Sequence, residues 1–320
     1  MSSQALGEFE LIRRCFASGF PIATDTLLGI GDDCSIIRPP HGYDLAQSID
    51  TQVADVHFPA KAPARLIAQR ALRCATSDLA AMGAAPQGFH LALTLPHSDS
   101  DWLDDFALGL RDTAHALRMP LLGGDTTRGP LLIVSISVQG WLPAGKGMTR
   151  SAARAGDDVW VSSRIGAAAL ALPLVLENPA LEKDLARAYY RPEIQLTLAQ
   201  RLLPLAHACM DISDGLLQDA RHIARASLVD MVIDAAAVPT PVTQDDERWP
   251  VCFTGGDDYQ LLFTAPADKR EDILALNSIP GAACTRIGEC LPAATLEPDV
   301  RLQLNGEPLV LSSAGYQHFG

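Results

Sequence analysis

Aspartates set beside glycines or between apolar runs recur through this sequence. Asp32 and Asp33 follow Gly29-Ile30-Gly31, Asp50 closes Ser48-Ile49-Asp50, Asp78 follows Ser77, and Asp125 follows Gly123-Gly124. Later come Asp211-Ile212-Ser213-Asp214-Gly215 and Gly255-Gly256-Asp257-Asp258. Any one of them reads as ordinary turn chemistry or a helix cap. The set has a second reading. Chain reversals would gather carboxylates at element ends, and gathered carboxylates repel unless cations sit between them. Hard oxygen ligands suit Mg²⁺, which takes one or two carboxylates plus substrate phosphates. The adjoining glycines let the backbone approach a phosphate closely. The residues alone therefore point either to a Mg²⁺-dependent polyphosphate site or to structural turns.

Other phosphate and catalytic signatures are missing. No Walker loop occurs, and Gly145-Lys146-Gly147 lacks its spacing. Gly29 and Gly31 begin a G-x-G, but Cys34 stands where the third glycine of a dinucleotide fingerprint belongs. H-E-x-x-H, G-x-S-x-G and H-R-D are absent. The seven cysteines are scattered without a C-x-x-C, which predicts free thiols, structural in role, in a reducing compartment.

The elements that must hold these turns follow from periodicity. A helix is expected over 7–20, strands over 35–37 and 43–49 with Asp50 at the end of the second, and a helix over 63–82 ended by Gly83. Next come a strand over 87–95, a helix over 101–117, a short apolar run at 120–122 and a strong strand over 131–141. Trp102 and Phe106, four apart, read as core. Pro143 to Arg150 is rich in Gly and Pro and reads as a linker. Beyond it, a strand is expected over 158–162, helices over 166–176, 182–189, 193–207 and 215–225, and strands over 229–233, 259–263 and 285–288.

At 320 residues the chain predicts about two domains, set here at 1–145 and 146–320. Strands and helices mix without a strict βαβ repeat, so the fold class expected is α+β, with two mixed α/β-layer domains. A net charge of −13 argues against general nucleic-acid binding, which needs a basic footprint. No apolar run is long enough to span a bilayer, and no leader is visible, so no membrane partner and a cytoplasmic location are expected.

In order along the chain, GIGDDC, Val56-His57-Phe58, SDLAAMGA (77–84), LLGGDTTRGP (121–130), Thr149-Arg150-Ser151, DISDGL (211–216), GGDDYQL (255–261) and the terminal GYQHF (315–319) form one set. This set resembles the thiamine-monophosphate kinases, which share an ATP-binding superfamily with aminoimidazole ribonucleotide synthetase and selenophosphate synthetase. The resemblance spans nearly the whole chain. It implies transfer of the ATP γ-phosphoryl group to thiamine monophosphate by direct in-line attack, assisted by several Mg²⁺ ions. The N-terminal domain would bind ATP and Mg²⁺ and pair its strands across a homodimer, and the C-terminal domain would complete the site. Asp33, Ser48, Ile49, Asp50, Asp78, Asp125, Asp211 and Asp214 would be the metal ligands. Gly124, Asp125, Arg150 and Ser213 would contact ATP, and His57, Asp257 and Tyr316 the substrate. No general base is implied. Ile49, Asp257 and Gln260 depart from the family's usual Thr, Glu and Glu, and Ala75 from a usual Asn. Ile49 would then act through its backbone carbonyl.

Overall fold

The computed structural model describes residues 8–183 and 185–311, with side chains from residue 10 onward. The chain forms two compact units. The first holds the residues through Leu79, Ala85–Gly145 and Leu174–Glu182; the second holds Ala80–Ala84, Lys146–Pro173 and the residues from Lys183 on.

In chain order the first unit begins with α1 (Glu8–Cys15), β1 (Thr26–Leu28), β2 (Ile36–Ile37) and β3 (Tyr43–Val53). Then come α2 (Ala64–Met82), whose last residues pass into the second unit, β4 (Ala85–Leu95), α3 (Ser100–Leu117), β5 (Leu121–Arg128) and β6 (Ile133–Pro143). Strands β3, β6, β4 and β5 lie in that order in one sheet. Asp99 caps α3 by accepting the N–H groups of Asp101 and Trp102, and Arg118 ends it in the left-handed region at φ 57°. The helix thereby returns the chain so that β5 lies parallel to β4. Phe106 is buried in this unit and stacks on Trp102, with ring centroids 5.1 Å apart.

Three boundaries of the first unit differ most from the sequence reading. The first helix stops at Cys15. Strand β3 runs past Asp50 to Val53, because β6 pairs with it without a break from Tyr43↔Pro143 to Val53↔Ile133. The short apolar run at 120–122 opens a full eight-residue strand, since β4 supplies a ladder through the glycine-rich segment to Arg128.

Register fixes which residues share a face, because side chains alternate along a strand and directly paired residues point the same way. On one face Ser48 and Asp50 of β3 line up with Val138, Ile136, Leu91 and Phe89, which are buried. On the other, Tyr43, Leu45, Ile49 and Thr51 line up with Ser135, Ser137, His90, Ala92, Gly123 and Asp125. There Ile49 is 69% exposed, and Tyr43 and Leu45 are exposed too.

The second unit is built on a seven-stranded sheet. Its strands are β7 (Asp157–Val161), β8 (Ala208–Asp211), β9 (Val229–Asp234), β10 (Leu261–Pro266), β11 (Thr285–Pro292), β12 (Val300–Leu304) and β13 (Glu307–Pro308), ordered β13-β12-β9-β11-β7-β10-β8. Only the β9–β12 pairing is parallel. The helices are α4 (Ala167–Glu177), whose last residues pass into the first unit, α5 (Leu185–Tyr190), α6 (Leu196–Leu202), α7 (Leu216–Ser227), α8 (Val251–Thr254) and α9 (Arg270–Ala275). The α6 helix is shorter than the expected 193–207, and β8 is an additional four-residue strand between α6 and α7. Helix α7 packs on β8, β9 and β12. Leu216, Leu217, Ala220, Ile223 and Ala224 lie on its buried face and join the core with Val159, Val161, Met231 and Ile233.

Both units mix helices with sheets, as an α+β fold requires. Among the described residues no helix is long and apolar enough to cross a membrane.

Candidate active site

In the first unit the acidic candidates divide between the two faces of the sheet. On the helix side, Ser48 Oγ donates to Asp78 Oδ2 at 2.5 Å, joining β3 to α2. Asp50, two residues on, shares that face and is half-buried. Ile49 projects the other way, so only its backbone lies between these two donors. Asp125 occupies the opposite, exposed face. The loop carrying Asp33 is tied to that same face, where Ser35 Oγ and His90 Nε2 are 3.1 Å apart. Gly124, beside Asp125, admits no side chain: a Cβ would fall 2.1 Å from Leu91 O. The strands approach closely there, and β5 is left with a bare backbone. His57 follows β3, and its Nδ1 accepts the N–H of Val53 at 3.0 Å, which puts the proton of a neutral ring on Nε2.

In the second unit the two late motifs are brought together. Asp211 ends β8, buried, and pairs with Leu261 at the start of β10. The chain on either side folds back on itself. Asp257 N–H donates to Ser213 O at 2.9 Å, Tyr259 N–H to Ile212 O at 2.8 Å, and Ile212 N–H to Gln260 O at 2.8 Å. A Cβ on Gly256 would lie 2.0 Å from Ser213 O, so the GGDD segment fits against DISDG only without a side chain at 256. Asp257 (φ 72°) and Tyr259 (φ 52°) hold left-handed backbone, which costs a non-glycine residue about 1–3 kcal/mol and persists where surrounding structure imposes it. Tyr259 Oη donates to Asp257 Oδ1 at 3.1 Å and fixes that carboxylate.

Arg150 is anchored where α7 ends and β8 begins. Ser227 Oγ, at the end of α7, donates to Arg150 O at 2.7 Å and accepts Ala153 N–H at 3.0 Å. Thr149 O accepts Cys209 N–H of β8 at 3.4 Å. The guanidinium is exposed, and its charge helps to hold the His222 imidazole below its ordinary pKa. Tyr316 lies outside the described residues.

Residues 31–142 match the N-terminal domain of AIR synthase related proteins, and residues 154–300 match their C-terminal domain. The thiamine-monophosphate kinase of Escherichia coli (strain K12) is 39% identical over 330 residues, covering 98% of this chain and 99% of that protein. This chain belongs to the thiamine-monophosphate kinase family. A crystal structure of thiamine-monophosphate kinase from Stenotrophomonas maltophilia K279a superimposes with a TM-score of 0.83 at 37% identity, covering 96% of this chain and 99% of that one. A structure described as AaThiL complexed with AMPPCP and TMP shares the fold at 24% identity, with a TM-score of 0.74 and coverage of 98% and 97%.

Two groups that motif reading missed stand out in this family member. Asp219, on the first turn of α7, is 1% exposed. Its Oδ2 accepts the N–H groups of Asp214 and Gly215, both at 3.1 Å, and so shapes the DISDG turn. Burial, with the charges of Asp211 and Asp214, pushes its carboxyl up to about 8. His222 follows one helical turn later. Its ring is shifted below its ordinary pKa by partial burial and by Arg150 and Arg225, against the pull of Asp214. The signal was available: positions 219 and 222 are three apart, which places them on one helix face. Asp258, already named in the GGDD turn, is buried as well. Its Oδ2 accepts Gly166 N–H at 2.6 Å at the start of α4, and burial pushes the carboxyl up to about 7.

Proposed function

We propose that this chain transfers the γ-phosphoryl group of ATP to thiamine monophosphate, giving thiamine diphosphate and ADP. One observation carries the reading: full-length likeness to the thiamine-monophosphate kinases at up to 39% identity, in a chain that keeps the acidic turns. The nucleophile is a phosphate oxygen of the substrate. A phosphomonoester has its second pKa near ~6, is mostly dianionic at pH 7 and needs no general base. The demand is electrostatic, since two polyanions must meet, and positioning with charge neutralisation does most of the work in phosphoryl transfer.

The donor set fits Mg²⁺. Asp33, Ser48, Asp50, Asp78, Asp125, Asp211 and Asp214, with the Ile49 carbonyl, offer hard oxygens, and the Asp219 carboxylate, whose Oδ1 is buried without a hydrogen-bond partner among the described residues, lies near that of Asp214. When bound, Mg²⁺ supplies neutralisation of phosphate charge. Arg150 adds a fixed positive charge toward the ATP phosphates. Gly124 exposes backbone on which a phosphate can rest, and Ser213 offers a hydroxyl held by the paired loops. His57, Asp257 and Tyr316 contact thiamine monophosphate.

The first unit, as the ATP, Mg²⁺ and dimerisation domain, pairs with a second copy through its sheet. Strand β3 is an edge strand with Tyr43, Leu45 and Ile49 on its exposed face, and an apolar edge of this length favours strand addition. Asp33 and Asp125 belong to the face that carries these apolar side chains. The C-terminal domain completes the site, and the unpaired cysteines suit the cytoplasm.

The test is one assay. Purified protein, ATP, Mg²⁺ and thiamine monophosphate are incubated and thiamine diphosphate is quantified, with thiamine and metal-free controls. Product formed only with the monophosphate and metal supports the reading. No product with metal-dependent ATP binding moves the question to another acceptor.

A further inference from the structure

We propose that His222 and Asp219 join Asp214 in a mixed nitrogen–oxygen site on α7 for a divalent ion of the first transition row. One donor atom from each residue lies within 4.8 Å of the others. An ion with bonds of about 2.1 Å closes that spacing with small side-chain rotations.

Three observations point to a cation there. First, Asp219 has split duties. Its Oδ2 is taken by two backbone N–H groups, and its Oδ1 is buried with no hydrogen-bond partner among the described residues. A buried carboxylate oxygen without a partner is costly, and a metal ion is the partner that two neighbouring carboxylates most readily share. Second, Asp214 is half-buried. Its Oδ2 accepts from Gln218 Nε2 at 3.0 Å, and that bond orients the carboxylate as an outer-shell donor does for a metal ligand. Third, the geometry is built into the helix. Asp219 and His222 are three apart on α7, and the Asp219–backbone bonds lock the Asp214 turn over the same end.

The third donor decides the class of ion. Oxygen-only sets favour Mg²⁺, whereas an imidazole shifts preference toward first-row transition ions. This inference deepens the proposed kinase reading, since Asp214 belongs to the metal set there. It does not need the kinase reaction to be correct.

The test uses the full chain and Mn²⁺ as the paramagnetic probe. Electron spin-echo modulation of bound Mn²⁺ is expected to show ¹⁴N coupling from an imidazole. His222→Gln, an exposed and structurally mild change, is expected to abolish that coupling while Mn²⁺ bound by oxygen donors elsewhere remains. Asp219→Asn is expected to weaken the nitrogen-coupled Mn²⁺ by at least about tenfold, in line with outer- and inner-shell losses at metal sites. Absence of ¹⁴N coupling at saturating Mn²⁺, or its persistence in His222→Gln, overturns the proposal. Turnover of thiamine monophosphate, measured on the same sample, reports separately on the kinase reading.

Discussion

Ser48 Oγ lies 2.5 Å from Asp78 Oδ2, so a strand donor and a helix carboxylate form one unit on the covered face of the N-terminal sheet. A hydroxyl that donates to a carboxylate also points that carboxylate. Ser48→Ala is expected to cost about 1 kcal/mol of stability, the usual worth of such a bond. It is also expected to raise the Mg²⁺ needed for half-maximal turnover severalfold. A Mg²⁺ titration alongside a urea melt reads both, and a stability loss with an unchanged Mg²⁺ requirement would give the pair a purely structural role.

Asp50 and Asp125 lie on opposite faces of that sheet, half-buried and exposed respectively. Asp50→Asn and Asp125→Asn keep size and remove charge. Each is expected to lower turnover by about 100-fold or more, as loss of transition-state charge stabilisation does, while circular dichroism stays unchanged. Near-native rates in both at low Mg²⁺ would remove them from the metal set.

Gly256 touches the carbonyl of Ser213 with no room for a methyl group. Gly256→Ala is expected to push the two loops apart, costing about 1–3 kcal/mol as overpacking does. ATP affinity should fall by roughly tenfold or more, about 1.4 kcal/mol, because Ser213 moves with its carbonyl. Calorimetric titration with a non-hydrolysable ATP analogue measures this, and wild-type affinity would separate the loop contact from nucleotide binding.

Asp258 carries the pH prediction. Its carboxyl is raised from the ordinary 3.8 to about 7, chiefly by burial. The folded state therefore holds a proton that the unfolded chain releases between those values, so this group's contribution to stability falls as pH rises from about 4 to 7. Asp258→Asn keeps an acceptor for Gly166 N–H and cannot ionise. Chemical denaturation across that pH window is expected to show a shallower loss of stability in the variant, and parallel profiles would assign the slope to other groups.

Six of the seven free cysteines are buried, and Cys34 alone is exposed. Native-state alkylation is expected to label one thiol, and Cys34→Ser to leave turnover within about twofold, the scale of a surface change. Rapid labelling at a second thiol would show that a buried position opens.

Much of the site was legible because its chemistry is written in short runs. The DISDG and GGDD segments could be named as candidates from Gly and Asp alone, and the structure sets them against each other through Ser213, Gly256 and Asp257. The sheet was less legible. Thr51, Gln52 and Val53 carry no clear alternation, so the end of β3 was hidden until β6 supplied its partner. The same applies to β5, where glycines weaken any strand signal and only the ladder with β4 reveals it. Asp219 and His222 were passed over because a buried acid inside a helix looks like any amphipathic residue until its unpaired oxygen is seen.

The interleaving of the two units bears on recombination. Ala80–Ala84 come from the first half of the chain yet pack with the second unit, and Leu174–Glu182 come from the second half yet pack with the first. A gene joined to a relative's at Gly145 and Lys146 would therefore give each unit one segment from the wrong parent. Chimaeras of this kinase family that respect folding need exchanges at those short segments as well as at Gly145 and Lys146.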